Sequence, residues 1–410
     1  MRDGWENTPL RRVTRQVIEP VALAPDCEYT NLGVKWYAAG TFHRQPKLGS
    51  DIKATRLFRV RPGQFVYNRL FATEGSFALV RPADAHAVAS NEFPVFAVDA
   101  ARLLPEYLYL HFQQPSVWQD VNLQCTGTTK SRLRWKEDRF GAYQLALPPL
   151  AEQRRIVDLI GALDGVAGAL ADATNAAQET RGFLLEALLA RLPEATALKP
   201  IGSVGVFLRG RRFTKSDYVD EGLGCIHYGQ IHTDLGSVTT HPLTFVPEEM
   251  RGRLRLASPG DVVVAATSED VEGLGKATAW LGKDDVAVHD DCYIFRHSLD
   301  PRFASHLFAS KGFQRQKVQF AAGTKVTRIS GANLGLIEVP VPHLADQAVI
   351  GQTMSDLDAT LDSLTLERSR LRSLRAHALA VLLSGEHEIP GSYDEFLGVA
   401  GSDPTAARSL

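Results

Sequence analysis

The chain has 410 residues, 44% of them hydrophobic, and a formal net charge of −2. This length and composition predict two or three domains with substantial cores. The near-neutral charge excludes a global positive field that would draw the whole chain onto DNA or a membrane. The four cysteines lack a CxxC spacing, which argues against a disulfide framework or zinc ribbon. The N-terminus lacks an apolar signal core, and no stretch approaches about 18 uninterrupted apolar residues, so we expect a cytoplasmic protein without a membrane span.

Residues 1–147 form the first predicted globular unit, which is rich in strands. A strand at 57–60 is followed by a turn containing Pro62 and Gly63 and by a strand at 64–67. Residues 93–98 predict a further strand. Residues 105–112 predict a short helix with a proline in its first turn.

Residues 148–192 form the first predicted long helix. Apolar residues recur every seven positions, and a second row lies three positions later in each heptad, which together predict the seam of a coiled coil. The first row is Ile156, Leu163, Leu170, Ala177 and Leu184, and the second is Leu159, Val166, Ala173, Thr180 and Ala187.

Residues 193–341 repeat the first unit, and residues 342–385 repeat the long helix. The run Pro148 to Gln153 is matched by Pro342 to Gln347, an offset of 344 − 150 = 194 for the leucines that begin both helices. The Pro259–Gly260 turn matches Pro62–Gly63. The second helix keeps the seven-residue step at Ile350, Leu357, Leu364 and Leu371. Residues 386–410 contain few side chains that could be buried and predict a flexible tail.

The repeat predicts a mixed α/β (α+β) protein with a pseudo-twofold arrangement. Two strand-rich domains are separated by two long helices that pair as an antiparallel coiled coil. A helix of about 40 residues is about 60 Å long, so the pair would act as a ruler between two recognition domains. Under this hypothesis, adding a heptad after Leu170 changes the distance between the sites that are read. The alternative is that each helix only packs on its own domain.

Loops with glycine, threonine and basic residues precede both long helices. Backbone amides, hydroxyls and ammonium groups in such loops suit contacts to phosphate. A further basic cluster lies near the start of the second unit, beside Gly210. The predicted phosphate-binding residues are Thr128, Thr129, Lys130, Arg132, Arg134, Arg209, Arg211, Arg212, Lys215, Thr324, Lys325 and Arg328.

Candidate base-reading residues are those with donors and acceptors suited to base edges in the major groove. In the first unit they are Lys35, Trp36, Tyr37, Arg44, Asn68 and Arg69. In the second unit they are Tyr228, Gln230, His232 and Lys276.

Motifs for common enzyme chemistry are missing from the sequence: it has no Walker loop, no HExxH and no glycine loop for S-adenosylmethionine. Asp26, Asp51 and Lys53 have the spacing of a metal-dependent nuclease of the PD…DxK type, which we keep as an alternative. Zinc binding by Cys225, His227, His232 and Cys292 fits no closed site. A purely structural coiled-coil protein is the third hypothesis, and the basic loops argue against it.

The run Leu147 to Ile156 resembles the start of the central conserved helix in specificity (S) subunits of type I restriction-modification enzymes. The run Leu344 to Gln347 is similar to a diverged second copy, with Asp346 in place of glutamate. The Gly-Thr-Lys loops, the segment 31–37 and the segment 228–231 also fit. This resemblance covers residues 1 to about 385.

The resemblance implies that each globular unit is a target recognition domain for one half of a split, double-stranded DNA sequence. It implies two methyltransferase subunits that methylate adenine with S-adenosylmethionine. In restricting systems, two further subunits use ATP and magnesium against foreign DNA such as that of phages. The chain itself would hold no catalytic residue, metal or cofactor, would contact no membrane, and would act on DNA in the bacterial or archaeal cytoplasm.

Overall fold

The computed structural model describes residues 2–54, 56–127, 133–193, 196–323 and 326–400, with side chains to residue 397. Contacts divide the chain into two compact units. Met1–Gly168 with Ser369–Leu410 form unit 1, and Ala169–Arg368 form unit 2. The prediction gave each long helix, residues 148–192 and 342–385, as a segment separate from the two globular units. The structure instead divides each helix between the units, because the apolar side chains of each helix half enter the core of one unit.

Unit 1 is built from short strands followed by short helices. Its strands are β1 (Glu6–Pro9), β2 (Thr14–Val17), β3 (Pro20–Val21), β4 (Glu28–Tyr29), β5 (Leu32–Val34), β6 (Thr41–His43), β7 (Lys47–Leu48), β8 (Leu57–Arg59), β9 (Phe65–Tyr67), β10 (Phe77–Leu79), β11 (Val88–Ser90), β12 (Val95–Val98) and β13 (Gln144–Leu147). Its short helices are α1 (Pro105–His111), α2 (Pro115–Gln124) and α3 (Glu137–Ala142).

The predicted strand, turn and strand at 57–67 are confirmed as β8 and β9, but the two strands enter different sheets. Strand β9 lies in the antiparallel sheet of order β10-β9-β12-β2, and β8 lies in the sheet of order β11-β8-β3. Gly63 in the turn between them has a φ of 81°, which glycine adopts without a Cβ clash. The sequence showed the elements, while long-range pairing decided their partners.

Alternation along β9 builds the core of unit 1. Phe65 and Tyr67 enter a cluster of buried aromatic rings with Trp135 and Phe140, while Val66 faces a second cluster on the other side of the sheet. Successive side chains of a strand point to opposite faces, so a three-residue strand serves both clusters. Burial of each such side chain contributes about 1.5–3 kcal/mol.

Unit 2 repeats this organisation with larger sheets. Its strands are β14 (Leu198–Pro200), β15 (Gly205–Arg209), β16 (Leu223–Ile226), β17 (Val238–Thr239), β18 (Thr244–Val246), β19 (Leu256–Ala257), β20 (Val262–Ala265), β21 (Thr267–Ser268), β22 (Ala277–Trp280), β23 (Val286–Val288), β24 (Cys292–His297), β25 (Thr327–Arg328) and β26 (Glu338–Pro340). Its short helices are α5 (Tyr228–Thr233), α6 (Pro301–Leu307), α7 (Lys311–Lys317) and α8 (Gly331–Gly335).

Strand β20 of unit 2 corresponds to β9 of unit 1. It follows the predicted Pro259–Gly260 turn, where Gly260 has a φ of 98°. It lies at the centre of the sheet of order β15-β24-β20-β22-β17, and a second sheet has the order β18-β16-β23-β19. Val262 and Val264 enter one buried cluster, and Val263 enters another. The predicted repeat is thus present in the packing of the central strands as well as in the sequence.

The two predicted long helices are confirmed as α4 (Leu150–Ala190) and α9 (Leu344–Leu383). Residues of the predicted first row, Ile156, Leu163, Leu170 and Leu184, are buried or half-buried. Ile350, Leu357, Leu364 and Leu371 have the same burial in α9. Within the described part of the chain, no helix has both the length and the apolar character needed to cross a membrane.

The second row of the seam differs from the prediction. Val166 in the predicted row is 57% exposed, and Ala173 and Thr180 are also exposed. The buried or half-buried row lies four positions after the first, not three. It consists of Ile160, Ala167, Thr174, Arg181 and Leu188. Positions three and four residues away flank the same helix stripe, so only the location of the partner helix decides between them.

The two long helices run antiparallel within each unit. In unit 1, Arg155 near the start of α4 contacts Ile389, which follows α9, and Asp164 further along α4 contacts Arg375. In unit 2, Arg181 of α4 contacts Asp358, and the later Leu185 shares a buried cluster with Met354 and the earlier Ile350. In each case the partner number falls as the α4 number rises.

The ion pairs between the two long helices follow the internal repeat. Arg181 of α4 corresponds to Arg375 of α9, since 375 − 181 = 194, and Asp164 of α4 corresponds to Asp358 of α9, since 358 − 164 = 194. The pair Arg181–Asp358 in unit 2 therefore corresponds to Arg375–Asp164 in unit 1. Each arginine also contacts the globular part of its unit. Arg375 donates to Gln113 Oε1 at 2.7 Å, and Arg181 donates to Ser237 Oγ at 3.0 Å. These arginines therefore tie the helix pair to the domain that packs against it.

His306 completes the unit 2 network. Its side chain is fully buried, and burial lowers the pKa of His306 because a charged ring would lose its hydration there. The neutral ring can accept a hydrogen bond at Nδ1 from the Arg181 guanidinium, 3.4 Å away. Asp358 therefore supplies the carboxylate that pairs with the Arg181 guanidinium.

We expect a stronger energetic coupling between Arg181 and Asp358 than between Arg375 and Asp164. The Asp358 side chain is 19% exposed and the Asp164 side chain 48%, and solvent screens the more exposed pair. Double-mutant cycles to alanine should give about 1–2 kcal/mol for the first pair and less than about 1 kcal/mol for the second, measured by denaturant unfolding. Equal couplings, or none in unit 2, would contradict this ranking.

A buried glutamine anchors each long helix to its domain. Gln153 donates from Nε2 to the carbonyls of Arg102 at 2.9 Å and Pro148 at 2.8 Å, and its Oε1 accepts from the Leu104 amide at 2.8 Å. In unit 2, Gln347 donates to Pro342 O at 2.8 Å and accepts from the Asp300 amide at 2.8 Å. The amide side chain thus satisfies backbone groups at the first turn of α1 or α6, which explains the glutamine in the proline-rich motif.

Residues 386–410 were predicted to form a flexible tail, and the described part of this segment contacts α4. Helix α10 (Asp394–Ala400) follows α9, and Ile389 is buried. Arg155 pairs with Asp394 at 2.7 Å, and Tyr393 donates to Asp158 at 2.7 Å. Few side chains of this segment are apolar, so its attachment to α4 relies on ion pairs and hydrogen bonds that composition does not reveal.

Candidate nucleic-acid interface

The two predicted phosphate-binding loops are closed in the same way. In unit 1, Thr126 and Arg134 exchange backbone hydrogen bonds of 3.1 and 3.0 Å, and in unit 2 Ala322 and Arg328 exchange bonds of 3.0 and 2.8 Å. Gly323 has a φ of 120°, and a Cβ there would lie 2.1 Å from Val326 O, so only glycine fits. Both loops thus start from a two-residue bridge. The loop residues Thr128, Thr129, Lys130, Arg132, Thr324 and Lys325 lie outside the described residues.

The flanking arginines of the loops differ. Arg134 pairs with Glu92 at 3.2 Å, so part of its charge is neutralised within the domain. Arg328 is an exposed residue of β25, which pairs with β21. The structure therefore leaves Arg328 open to solvent and gives Arg134 a contact inside unit 1.

The predicted basic patch of unit 2 is exposed. Arg209, Arg211, Arg212 and Lys215 all face solvent around Gly210. A Cβ at Gly210 would lie 2.1 Å from His289 O, so the glycine permits a close approach of two backbone segments. Two of the arginines are held by backbone carbonyls. Arg209 donates to Asp290 O at 3.0 Å and Arg211 to Arg253 O at 2.9 Å.

Five predicted base-reading residues of unit 1 lie together. One open cavity of about 410 Å³ is lined by Lys35, Trp36, Tyr37, Arg44 and Asn68. Three phenylalanines, Phe42, Phe71 and Phe93, form the rest of its wall with Val34. An adjoining cavity of about 480 Å³ shares Arg44, Asn68, Phe71 and Phe93 with it.

The phenylalanines of this cavity were missed by the sequence analysis. Phe42 lies in β6, and Arg44 directly follows that strand. Residues two apart in extended backbone share a face. That spacing is the signal that could have identified Phe42. Phe71 and Phe93 are distant in sequence and join the cavity only through tertiary packing.

Arg69 does not join this cavity. Its guanidinium pairs with Glu137 at 3.2 Å and lies 3.8 Å from Glu92. It also donates to the Asn91 carbonyl. These contacts engage Nη1 and Nη2 of Arg69 within unit 1, and its Nε is buried. Asn68 is partly occupied, since its Oδ1 accepts from the Leu70 amide at 3.0 Å.

Three predicted base-reading residues of unit 2 line a cavity of about 470 Å³: Tyr228, His232 and Lys276. Gln230 does not, because it is buried and caps α5. Its Oε1 accepts from the His227 amide at 3.1 Å, and its Nε2 donates to Thr244 Oγ1 at 3.0 Å. The structure thus assigns Gln230 to the fold of unit 2.

Carboxylates distinguish the unit 2 cavity from that of unit 1. Glu269, Asp270 and Glu272 line it and were not singled out from the sequence. The backbone amide of Gly273 donates to Asp270 at 2.7 Å, and this hydrogen bond lowers the pKa of Asp270. In the sequence, three acids and one lysine within eight residues look the same as a solvated turn. Only the fold shows that their side chains line one cavity.

Lys317 of α7 holds the loop that carries Glu269, Asp270 and Glu272. Its buried ammonium donates to the carbonyls of Glu272 at 2.8 Å and Leu274 at 2.6 Å. Burial lowers the pKa of Lys317 to about 8, since the charged form loses hydration. The two carbonyls hold the loop against α7.

The alternative metal sites are not assembled among the described residues. Cys225 and Cys292 are buried, and burial raises the pKa of both thiols, which opposes the thiolate form that zinc needs. Asp51 and Lys53 line the cavity of about 480 Å³, whereas Asp26 does not. The described residues that bring three candidate ligands within 4.8 Å are His289, Asp290 and Asp291, outside both hypotheses.

Comparisons with known proteins agree with this architecture. Residues 260–371 match a family model described as the type I restriction modification DNA specificity domain. The StySPI specificity subunit of Salmonella potsdam is 28% identical over 206 residues, which are 48% of this chain and 44% of that protein. The EcoKI specificity subunit of Escherichia coli K12 is 26% identical over 179 residues, 42% of this chain and 38% of that protein. The matches thus span less than half of each of these relatives.

Solved structures resemble the whole fold at low sequence identity. A chain from a structure addressing complex assembly and conformational transition of a type I restriction-modification system has a TM-score of 0.58 and 18% identity, and the match covers 93% of this chain and 98% of that one. The type I restriction-modification S subunit from M. genitalium has a TM-score of 0.55 and 12% identity, with 92% and 96% covered. The chain thus shares the fold of these structures, and its sequence is similar to the DNA specificity domain and to specificity subunits of type I restriction-modification systems.

Proposed function

We propose that this chain recognises a split sequence in double-stranded DNA, one half through each unit. One observation carries the proposal. In each unit, a strand is followed by candidate base-reading residues that line a cavity, and the two strands correspond to each other. In unit 1, Lys35 and Tyr37 follow β5, and in unit 2, Tyr228 and His232 follow β16. Two such cavities in one chain suit two separate half-sites. A basic cluster or a Gly-Thr loop in each unit would contact the phosphates.

The two half-sites should differ in sequence, because the two cavities differ in charge. The unit 1 cavity is lined by two cations and no carboxylate, so its charged groups are hydrogen-bond donors. Guanine N7 and O6 are matching acceptors. The unit 2 cavity adds three carboxylates to Lys276 and His232, and carboxylates accept from base amino groups such as cytosine N4.

The paired long helices are proposed to set the gap between the half-sites. Linking two recognition domains makes the second contact intramolecular, so the pair binds more tightly than either domain alone. The net charge of −2 supports weak binding by the isolated chain, with partner subunits supplying further phosphate contacts.

Two methyltransferase subunits are the proposed partners, and the chain would position them for adenine methylation. They would bring S-adenosylmethionine. Restriction subunits, in systems that cut, would bring ATP and magnesium chemistry. The chain itself is proposed to be non-catalytic. Exposed apolar side chains on α4 and α9 are candidate docking points for these partners. They are Val166, Phe183, Leu344, Val349, Leu366 and Leu374.

The test is a methylation map of host DNA after co-expression with a cognate methyltransferase subunit. Methylated adenine in a split sequence of constant gap, absent without this chain, is the expected result. A soluble complex that leaves no new methylation would contradict the proposal. A purified chain that cuts DNA with magnesium alone would instead support the nuclease alternative at Asp26, Asp51 and Lys53.

A further inference from the structure

An unusual backbone conformation shapes the aromatic wall of the unit 1 cavity. Tyr37 and Ala38 both have positive φ angles, 57° and 49°. Non-glycine residues rarely adopt this left-handed region, and two in succession persist only where surrounding contacts over-determine the loop. The segment 35–39 therefore holds a conformation that the local sequence does not favour.

Hydrogen bonds from the rest of unit 1 hold this loop. The Tyr37 amide donates to Glu74 O at 2.9 Å, and the Ala38 amide donates to Gly75 O at 2.7 Å. Tyr109 donates its hydroxyl to Ala38 O at 2.5 Å. Gly75 itself has a φ of 70°, and a Cβ there would lie 2.4 Å from the Trp118 ring. Both neighbouring segments thus pack closely to receive the loop.

The loop exposes two large aromatic side chains. Trp36 is 47% exposed and Tyr37 is 66% exposed. Trp36 packs against Phe71 with 5.4 Å between ring centroids, and Tyr37 packs against Trp118 at 6.0 Å. The rings are therefore fixed in place while much of their surface faces solvent, which is an arrangement typical of a binding surface.

The charge around these rings points to nucleic acid as the occupant. Lys35 and Arg44 are exposed members of the same wall, which has no carboxylate. Among the described residues, neither of these two side chains forms an ion pair or hydrogen bond. An apolar surface flanked by two cations complements a base edge flanked by phosphates.

We propose that the Trp36–Tyr37 surface contacts the 5-methyl group of thymine in the half-site read by unit 1. The thymine methyl is the apolar group that base edges present in the major groove. The two rings are 87° apart, so both cannot stack on parallel bases, but both can contact a methyl group. Arg44 and Asn68 would then bond the polar edges of neighbouring bases. This inference rests on the proposed function and specifies one base contact within it.

The experiment replaces each thymine of the mapped target with deoxyuridine, one at a time, in a synthetic duplex. This change removes only the methyl group. Binding is measured with the complex of the full chain and its methyltransferase subunit. In one half-site, at least one replacement should weaken binding by roughly three- to tenfold. Trp36→Ala and Tyr37→Asn should bind both duplexes equally, because the methyl contact is lost. Asparagine tolerates the left-handed backbone at position 37.

Phe396→Ala is the matched control, since Phe396 is a 69% exposed aromatic residue of unit 1 on α10. It should keep the preference for thymine, and Trp36→Phe should keep part of it. Wild-type binding that is insensitive to every deoxyuridine would overturn the inference while leaving the mapped split target, and thus the proposed function, intact. Trp36→Ala that prevents assembly with the methyltransferase subunit in the absence of DNA would also overturn it, in favour of a protein partner at this surface.

Discussion

A chain with one extra heptad in both long helices should direct methylation by its partner subunits to the same two half-sites across a wider gap. Seven residues add about 10 Å of helix, which corresponds to about three base pairs at 3.4 Å each. The insertions belong after Leu170 in α4 and after Arg368 in α9, near the points where the helices pass from one unit to the other. Duplicating residues 164–170 and 362–368 preserves the seven-residue step of both helices. The measurement is the same methylation map, compared with wild type.

The half-sites themselves serve as the internal control for this experiment, since neither cavity is altered. An insertion in α4 alone is the matched variant. It shifts α4 relative to α9, so apolar residues in part of the seam lose their packing partners. Less of this variant should therefore assemble with the methyltransferase subunits. An unchanged gap in the doubly extended chain would refute the ruler hypothesis, because the helices would then only support their own domains.

Gln153→Leu is expected to reduce the free energy of unfolding of unit 1 by about 2–4 kcal/mol. The substitution removes an amide that satisfies the carbonyls of Arg102 and Pro148 and the amide of Leu104. Each buried backbone group left without a partner costs about 1–3 kcal/mol. Because leucine has a similar volume, the loss reports on the hydrogen bonds more than on a cavity. Denaturant unfolding followed by tryptophan fluorescence measures the effect, since Trp135 lies in the unit 1 core.

Gln178→Leu is the control for this prediction, because Gln178 is an exposed residue of the same helix. It should change stability by less than about 0.5 kcal/mol. Gln347→Leu tests the repeat. The side-chain amide of Gln347 makes two hydrogen bonds to the backbone, where that of Gln153 makes three. The reduction in the free energy of unfolding should therefore be smaller and confined to unit 2. Equal stability of Gln153→Leu and Gln178→Leu would show that the anchor is not required.

The sequence by itself determined the features that depend on local spacing. The duplicated proline-rich motif, the seven-residue step and the turns at Gly63 and Gly260 are each visible within a few residues, because helix and turn geometry is set by neighbours along the chain. The offset of 194 also relates the two helix ion pairs that the structure shows, since Arg181 and Asp358 map onto Arg375 and Asp164. Family resemblance rests on the same local motifs.

Only the tertiary structure decided which side chains share a wall. Lys35 and Asn68 meet at one cavity, while Arg69, the next residue, is committed to carboxylates of its own domain. The same applies to Gln230, which caps a helix, and to the second row of the helix seam, which lies four and not three positions on. Each of these outcomes depends on a partner distant in sequence. Spacing along the chain carries no information about that partner. Which side chains contact each other is therefore decided by long-range packing when the core forms.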